Sequence, residues 1–484
     1  MWDSQKSLFR VSAQLFAEGI FNLLDRNLRP EVFLLGLASA KEPNEPAAVV
    51  IEPPTHRYRP SQFQEVKNRA SQLEPEGPRE VVYHLHPTDH DRFEKMRWYN
   101  LLRRATEATI ADLEAASPTE ARVSFCSQPV SVSNYQILVV LQMSAEAYHS
   151  HYALPAAPNG RAGSLLQATV QEFLHDCLRA LRESDLDEDR PILDRDYNEL
   201  LRAAGRRFML AVGNGNHGLY DACNGIAALR HEGDEGVGLM ALSRRHHPAV
   251  RPVLLLETPI ALRDHRSMRK LLELSEENVA LMSDAANLFG LGEVVALDDP
   301  NYEPLFMVHF TKHYSWDLSH AGEVMMRVVS NTPRLPRSRV DERNFERAIR
   351  RNWPDMDAAG VEYLWSLALS ATSQPTGTIL LISDGAAQEA RRLATQCYRV
   401  TPTRITPAMV RLVTNIDGAV LIDPQGTCFG IGAILDGLAT AKGDSSRGSR
   451  FNSAVRYVET SRYPCLAIVV SEDGWIDLLP PLGK

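Results

Sequence analysis

Short apolar runs of strand length alternate with amphipathic helical segments along most of this sequence. The run Ile137–Leu141 has the length of a strand, whereas Leu165–Arg182 places its apolar residues on one stripe of a helix. Such alternation favours sheets covered by helices, because each element must bury its apolar side against another element. The sequence therefore predicts α/β or α+β folding.

The length of the chain predicts more than one domain. A chain of 484 residues exceeds what a single hydrophobic core usually holds. An acidic stretch at 183–190 and a Pro-rich segment at 332–336 interrupt the alternating pattern. We therefore predict three domains: an N-terminal α/β module over 1–190, a second α+β module over 191–335, and a compact α/β domain over 340–484.

Composition restricts the class of protein and its compartment. The net charge of −9 argues against a broad nucleic-acid-binding surface, which needs a basic footprint. No apolar stretch approaches the roughly 18 residues of a membrane-spanning helix, and no signal peptide is visible. The six cysteines form no C-x-x-C pair, which fits a reducing compartment. We expect a soluble cytoplasmic protein with neither membrane nor nucleic acid as a partner.

The predicted elements of the last block form a regular order. Two helices come first, and strands and helices then alternate to the end of the chain. The predicted helices are 341–352, 356–373, 386–396 and 453–460, and the predicted strands are 377–383, 418–423, 428–435, 465–471 and 475–479.

Three motifs with residue types typical of binding or catalytic sites lie at the ends of these elements. Asp417–Gly418–Ala419 stands just before a strand, where small residues let a ligand approach the backbone. Arg447–Ala454 brings arginines, a glycine and hydroxyls to the entry of a helix, a combination that commonly holds phosphates. Ser471–Glu472 ends a strand in an acidic turn. Taken singly, the acidic glycine motifs are most often turns.

In this order and spacing the three motifs resemble those of bacterial diadenylate cyclase domains, as in the DNA-integrity-scanning and membrane-associated enzymes. Those domains carry Asp-Gly-Ala, then Gly-Thr-Arg-His-Arg at the start of a helix, then a strand that ends in Ser-Glu. The matching segments here are Asp417–Ala419, Gly448–Asn452 and Ser471–Glu472, and the strand Gly377–Ile382 is similar to the one that opens the domain. The resemblance covers residues 340–484.

The resemblance implies an activity and an assembly. The family joins two ATP molecules into cyclic di-AMP, a second messenger, and releases two pyrophosphates. Each ATP lies on its own domain, so the resemblance implies a homo-oligomer with active sites face to face. Residues 1–335 would then be a sensor or an assembly platform that regulates the cyclase, an interpretation reached by elimination.

The resemblance also implies roles for individual residues. Asp417 would activate the ribose 3′-hydroxyl and, with Glu472, hold Mg²⁺ or Mn²⁺, while Arg450 would bind phosphates as the second catalytic residue. The remaining implied nucleotide-binding residues are Gly418, Ala419, Gly448, Ser449, Asn452, Ser453 and Ser471.

One departure from the family pattern leaves two functions open. The family's Arg-His-Arg is here Arg450–Phe451–Asn452, and Arg447 and Arg456 are the nearby cations that could substitute. Loss of a charge-assisted phosphate contact costs about 2–4 kcal/mol in a transition state. The alternative to a cyclase is therefore a catalytically inactive nucleotide-binding receptor that switches a partner.

Two other glycine motifs compete with this site. Ser383–Ala386 is a second Asp-Gly-Ala, in which we interpret Asp384 as a helix-start residue. Gly213–Gly218 matches G-x-G-x-x-G and follows the strand-like run Phe208–Val212, which leaves an NADP-type oxidoreductase as a minor alternative to a structural or ligand-sensing loop. The histidines over 84–90 and at 246–247 lack the spacing of a metal site.

Overall fold

Helices and strands alternate through both parts of the chain in the computed structural model, which divides into a first unit, Met1–Pro336, and a second unit, Arg337–Lys484. The structure describes residues 4–38, 49–73, 87–116, 121–132, 134–154, 161–182, 193–213, 215–230, 237–276, 278–295, 305–336, 342–371, 377–435, 449–470 and 476–480.

The described helices and strands of the first unit contribute to two sheets and the helices around them. The helices are α1 (Ser4–Leu24), α2 (Val66–Gln72), α3 (Pro87–Ala115), α4 (Ala145–His149), α5 (Leu165–Arg182), α6 (Tyr197–Val212), α7 (Leu219–Ala227) and α8 (His265–Leu272), with 3-10 turns at Arg26–Leu28 and Pro60–Phe63. The strands are β1 (Glu31–Ala38), β2 (Val49–Glu52), β3 (Arg122–Cys126), β4 (Val130–Val132), β5 (Tyr135–Ser144), β6 (Gly238–Leu242), β7 (Val250–Ala261), β8 (Val279–Ser283), β9 (Asn287–Val294), β10 (Phe306–Lys312), β11 (Ser315–His320), β12 (Glu323–Val329) and β13 (Thr332–Arg334).

The first sheet has the strand order β2-β1-β5-β3, and β4 also pairs with β5. All of its pairs are antiparallel. The second sheet has the order β13-β12-β11-β10-β6-β8-β9-β7, in which β6 and β8 form the parallel pair. A single apolar cluster runs from Phe9 on α1 to Leu335 and includes both α5 and α6. Because α5 and α6 lie on either side of residue 190 and share this cluster, the cluster does not mark a boundary there, and the division into modules 1–190 and 191–335 stays a prediction.

Three expectations for the first unit are corrected or left open. Phe208–Val212 was predicted as a strand, but these residues form the last turns of α6 because their apolar side chains continue its buried stripe. The Pro-rich segment predicted to close the second module contains β13, which pairs with β12 at the edge of the sheet. The strand predicted over Val81–Leu85 lies outside the described residues.

The second unit is built around one mixed sheet with the order β15-β17-β16-β14-β18-β19. Its helices are α9 (Glu342–Asn352), α10 (Ala358–Ala371), α11 (Ala386–Arg392), α12 (Pro407–Val413) and α13 (Ser449–Thr460). Its strands are β14 (Thr378–Ser383), β15 (Tyr398–Arg404), β16 (Ala419–Ile422), β17 (Thr427–Ala433), β18 (Cys465–Val470) and β19 (Ile476–Leu479).

Both faces of this sheet are buried, since alternate residues of β14 face different helices. Leu380 and Ile382 belong to the cluster that holds the apolar side chains of α9 and α10. Ile379 and Leu381 belong to the cluster that holds those of α11 and α13. The predicted multidomain α/β class with a mixed C-terminal sheet is confirmed. The prediction omitted β15 and α12, and it began α13 four residues late.

Among the helices of the described ranges, none has both the length and the hydropathy needed to span a bilayer.

Candidate functional site

One end of the second unit's sheet gathers the starts of two strands and the finish of a third. β14 and β16 are parallel, with Ile379 opposite Ala419, so both strands begin at this end. β18 runs antiparallel to β14 and pairs Val470 with Thr378, so β18 ends there. The residues that precede β16 and the last residue of β18, Val470, therefore lie at the same end of the sheet, which we call the site end.

A backbone contact between two glycines forms part of the site end. Gly418 has φ of +111°, and Gly432 on the neighbouring strand has φ of +63°. A Cβ atom on Gly418 would lie 2.5 Å from the carbonyl carbon of Gly432 and 2.8 Å from its oxygen. No L side chain fits this arrangement without a shift of backbone. We call this contact the glycine wall.

Asp417 and Arg450 form an ion pair beside the glycine wall. Arg450 Nη2 donates to Asp417 Oδ1 at 2.9 Å. The Asp417 side chain is 86% exposed and that of Arg450 is 30% exposed. An acceptor carboxylate and a guanidinium donor thus face solvent together at the site end.

α13 carries Arg450, and its inner face is anchored in the core. Ala454 and Tyr457 are buried in the cluster shared with α11. The Tyr457 hydroxyl donates to Glu389 Oε2 on α11 at 2.8 Å. Burial and the neighbouring Glu389 carboxylate raise the pKa of Tyr457 above its ordinary value, so the phenol stays protonated. These contacts fix the position of the helix whose first turn presents Arg450.

Family models match three successive parts of the chain. The model described as "DisA bacterial checkpoint controller nucleotide-binding", DAC, matches residues 368–479. The C-terminal region of this chain contains a DAC domain. The resemblance predicted from the motifs is therefore confirmed. Models described as "Probable sensor domain DACNG" and "Probable sensor domain DACNH" match residues 1–209 and 217–322.

Comparison with solved structures includes DacA from Staphylococcus aureus, in the crystal structure of a double mutant. That chain is 17% identical over 26% of this chain and 87% of its own length, with a TM-score of 0.22. No curated protein matches the sequence with statistical significance.

The DAC domain brings some of the predicted site residues together. Asp417, Gly418 and Ala419 are consecutive at the start of β16, and Ala419 has its side chain buried in the sheet, which leaves its backbone for any ligand contact. Ser449, Asn452 and Ser453 lie on α13 with Arg450. Gly448, Ser471 and Glu472 lie outside the described residues. The roles predicted for all of these residues stay predictions.

Phe451 explains part of the departure from the family motif. It stands where the family has histidine, and it packs against the apolar cluster of Ala454 and Tyr457. The aromatic side chain therefore contributes to the seating of α13 on the sheet. The sequence motif alone did not reveal this packing role.

Thr378 is a residue of the DAC domain that the motifs did not single out. It is 1% exposed at the first position of β14, and its hydroxyl has no hydrogen-bond partner among the described residues. Its place opposite Val470 puts this unsatisfied polar group at the site end. The sequence signal is a Thr directly before the apolar run Ile379–Ile382.

The second Asp-Gly-Ala lies at the opposite end of the sheet. Asp384 follows the carboxyl end of β14, whereas Asp417 precedes the amino end of the parallel β16. Asp384 was predicted as a helix-start residue, but Gly385 occupies the N-cap of α11. Asp384 instead accepts a hydrogen bond from Trp353 Nε1 at 2.8 Å. The prediction of its role was wrong because the partner comes from a distant part of the chain.

The G-x-G-x-x-G match has no dinucleotide geometry. Gly213 caps the end of α6 and Gly218 precedes α7, so the loop joins two helices instead of a strand and a helix. Asn216 holds the loop by accepting from Gly218 N at 3.0 Å and donating to Ala285 O at 2.5 Å. The oxidoreductase alternative therefore loses its structural basis.

Proposed function

We propose that the DAC domain joins two ATP molecules into cyclic di-AMP and that the first unit regulates this reaction. The match of residues 368–479 to a nucleotide-binding family supports the domain's part of the proposal. The matches of the preceding residues to two sensor-domain models support the regulatory part.

The observation that carries the proposal is the Asp417–Arg450 pair beside the glycine wall. A phosphoryl-transfer site needs cationic donors for phosphate oxygens and an acceptor near the attacking hydroxyl. Arg450 and Asp417 supply these two groups within 2.9 Å of each other. Gly418 and Gly432 bring their main chains into contact beside this pair, and we propose that a nucleotide packs against that main-chain surface.

Asp417 and Arg450 have different roles in the proposed reaction. Asp417 accepts the proton of a ribose 3′-hydroxyl as that oxygen attacks the α-phosphorus of the other ATP, whose bond to pyrophosphate breaks. Arg450 exchanges its pairing with Asp417 for the negatively charged phosphate oxygens. When substrate is bound, this exchange leaves the Asp417 carboxylate free to accept the proton of the 3′-hydroxyl.

The donor set fits a divalent cation that arrives with the nucleotide. The described residues hold no group of three or more His, Cys, Asp or Glu side chains arranged for a metal. Mg²⁺ is commonly held by one or two carboxylates together with substrate phosphates, and Asp417 offers one exposed carboxylate. We propose that Asp417 and Glu472 hold Mg²⁺ or Mn²⁺, which would neutralise phosphate charge.

The reaction requires two copies of the site. Each ATP must present its 3′-hydroxyl to the α-phosphate of the other, and one DAC domain supplies one set of these motifs. We therefore propose that two chains meet with their site ends face to face, most simply about a two-fold axis.

A second function is favoured by a specific observation. Phe451 packs against the core where the family has a histidine, and Asn452 stands where the family has its second arginine, so two groups of the family's motif are absent. A site with fewer phosphate contacts can hold a nucleotide without completing the transfer. This alternative is a nucleotide-binding receptor that switches a partner.

One experiment separates the two functions. The purified full chain is incubated with ATP and Mg²⁺ or Mn²⁺, product is sought by mass spectrometry, and ATP binding is measured by titration. We expect cyclic di-AMP and two pyrophosphates for each product molecule. ATP binding with no cyclic dinucleotide under either metal would refute the cyclase and leave the receptor.

A further inference from the structure

A cleft in the first unit is lined by more positive than negative side chains. It has a volume of about 520 Å³ and lies where α1 meets the starts of β1 and β3. Four arginines, Arg10, Arg26, Arg29 and Arg122, face two glutamates, Glu18 and Glu31. This excess of positive charge is local, since the whole chain carries a net charge of −9.

One wall of the cleft is a polar ridge on α1. Arg10, Gln14, Glu18 and Asn22 recur every fourth residue, so they share one face of the helix. Gln14 fixes this ridge to the neighbouring strand: it accepts from Val32 N at 2.7 Å and donates to Pro30 O at 3.0 Å. The cleft is therefore a preformed feature of the fold.

Two arginines in the cleft each keep a buried Nε donor without a partner among the described residues. Among the described residues, Arg10 has neither an ion-pair nor a hydrogen-bond partner, and its Nε is buried. Arg122 donates through Nη2 to Arg29 O at 2.6 Å, yet its Nε is also buried without a partner. Because these two Nε atoms are closed to solvent, a ligand in the cleft would meet the terminal Nη donors of the two side chains, and those of Arg10 have no partner among the described residues.

The glutamates do not supply the missing acceptors. Glu31 Oε2 lies 3.6 Å from Arg122 Nη1, and its other oxygen lies 3.5 Å from His56 Nε2. The His56 imidazole lowers the pKa of Glu31, which keeps this carboxylate ionised. Glu18 accepts from Gln14 Nε2 at 2.6 Å. Glu31 thus pairs with one side of Arg122 and Glu18 pairs with Gln14, and neither acid pairs with Arg10 among the described residues.

We propose that this cleft binds a small oxyanion-bearing metabolite whose phosphate or carboxylate group accepts hydrogen bonds from Arg10 and Arg122. Guanidinium forks suit both groups, because their oxygens match two N–H donors at once. The volume lies within the range of small-molecule sites. This ligand site is independent of the proposed cyclase activity, although it lies in the region that matches a sensor-domain model.

The test measures thermal stabilisation of the full chain by inorganic phosphate and by citrate, with chloride at equal ionic strength as the reference. We expect saturable stabilisation of the wild type by at least one of the two anions. Arg10→Gln and Arg122→Gln should each weaken the apparent affinity by about tenfold or more. Phosphate alone would identify a phosphoryl ligand, and citrate alone a polycarboxylate.

Two controls keep the outcome specific. Arg97→Gln changes an arginine on α3 outside the cleft and should leave the response intact. Arg450→Ala removes the cation of the DAC site and should also leave it intact, which separates this site from the proposed nucleotide site. No saturable stabilisation of the wild type, or an unchanged response in both cleft variants, would overturn the proposal.

The Tm values of Arg10→Gln with and without anion distinguish a ligand-binding role of Arg10 from a purely structural one. If Arg10 only supports the fold, Arg10→Gln should lower the Tm of the anion-free protein and keep the anion response. If Arg10 serves a ligand, the anion-free Tm should stay equal or rise, because the substitution removes no ion pair or hydrogen bond to the described residues and takes away one unpartnered buried N–H.

Discussion

Arg450 on the first turn of α13 donates a hydrogen bond at 2.9 Å to Asp417, the residue that precedes the glycine wall. Because the carboxylate is largely exposed, the pair adds little to stability. A weak pair at this position is easily exchanged for stronger contacts with phosphate. Such an exchange is what the proposed nucleotide site requires of Arg450.

Asp417→Asn tests the proposed acceptor role directly. The substitution should abolish cyclic dinucleotide formation, since an amide cannot take the hydroxyl proton, while ATP affinity stays within about tenfold. Product formation and ATP titration are measured on the same preparation. The matched control is Asp384→Asn at the other end of the sheet, where an amide oxygen still accepts from Trp353. Equal losses in the two variants would show that the site end was chosen wrongly.

Gly418→Ala tests the glycine wall. A Cβ here would collide with the Gly432 carbonyl and strain a φ of +111°, so we expect the free energy of unfolding to fall by about 3 kcal/mol. Gly432→Ala is the milder comparison: its Cβ would lie 3.0 Å from Ile416 Cγ2, and its φ is left-handed, which costs about 1 kcal/mol. Denaturant unfolding that ranks the two variants in reverse would contradict the contact.

Tyr457→Phe tests the seating of α13. Removing the hydroxyl takes a donor from buried Glu389, and we expect a loss of about 1–2 kcal/mol in unfolding free energy. Tyr463→Phe is the matched control, since the Tyr463 hydroxyl makes no hydrogen bond to the described residues, and it should change stability by less than about 0.5 kcal/mol.

The same tyrosine predicts a dependence on alkaline pH. The fold raises the pKa of Tyr457, so its contribution to stability is complete below the unfolded-state value of about 10 and falls as pH rises above it. The Tm of the wild type should therefore decline above that pH more steeply than the Tm of Tyr457→Phe. Parallel declines would mean that Tyr457 ionises equally easily in both states.

A fragment that begins near residue 340 should fold without the rest of the chain and bind ATP. The second unit has its own sheet with apolar clusters on both faces, which is the requirement for independent folding. Circular dichroism and ATP titration of the fragment check this expectation. If the full chain binds ATP and a folded fragment does not, the nucleotide site needs residues of the first unit.

The proposed face-to-face assembly predicts kinetics that depend on protein concentration. Specific activity should rise with concentration until the dimer saturates, because one chain cannot complete the product. Excess Asp417→Asn chain should inhibit the wild type by occupying the partner position. Specific activity that stays constant on dilution below measurable self-association, without inhibition by the variant, would refute the paired-site mechanism.

Local patterns predicted most of the DAC domain but missed its least apolar parts. Buried strands such as β14 and β18 stand out as apolar runs, and the predicted elements follow them closely. β15 is exposed at the edge of the sheet and carries Arg, Thr and Pro, so it lacks the apolar pattern of a strand. The Asp-Gly-Ala motif predicted that a ligand approaches the backbone at Gly418, but the contact of Gly418 with the main chain of Gly432 was not predicted, because Gly432 belongs to another strand.

The errors arose where a distant contact decides the structure. Phe208–Val212 is a short apolar run before a glycine, and periodicity alone cannot distinguish a strand from the end of a buried helix in such a run. The bond from Trp353 to Asp384 and the packing of Phe451 both depend on tertiary neighbours. The polar ridge of Arg10 is visible in the sequence, but the unpartnered Nε atoms of Arg10 and Arg122 emerge only from the fold.

If the proposed nucleotide site lies against the glycine wall, the wall limits how that site can change its nucleotide preference. Because the wall is made of main chain, substitution of neighbouring side chains cannot widen or narrow it without moving two strands of the sheet. The surface of α13, in contrast, can accept new side chains while its inner face stays anchored by Tyr457. Engineering or natural divergence toward another nucleotide should therefore accumulate on the outer positions of α13 and leave Gly418 and Gly432 unchanged.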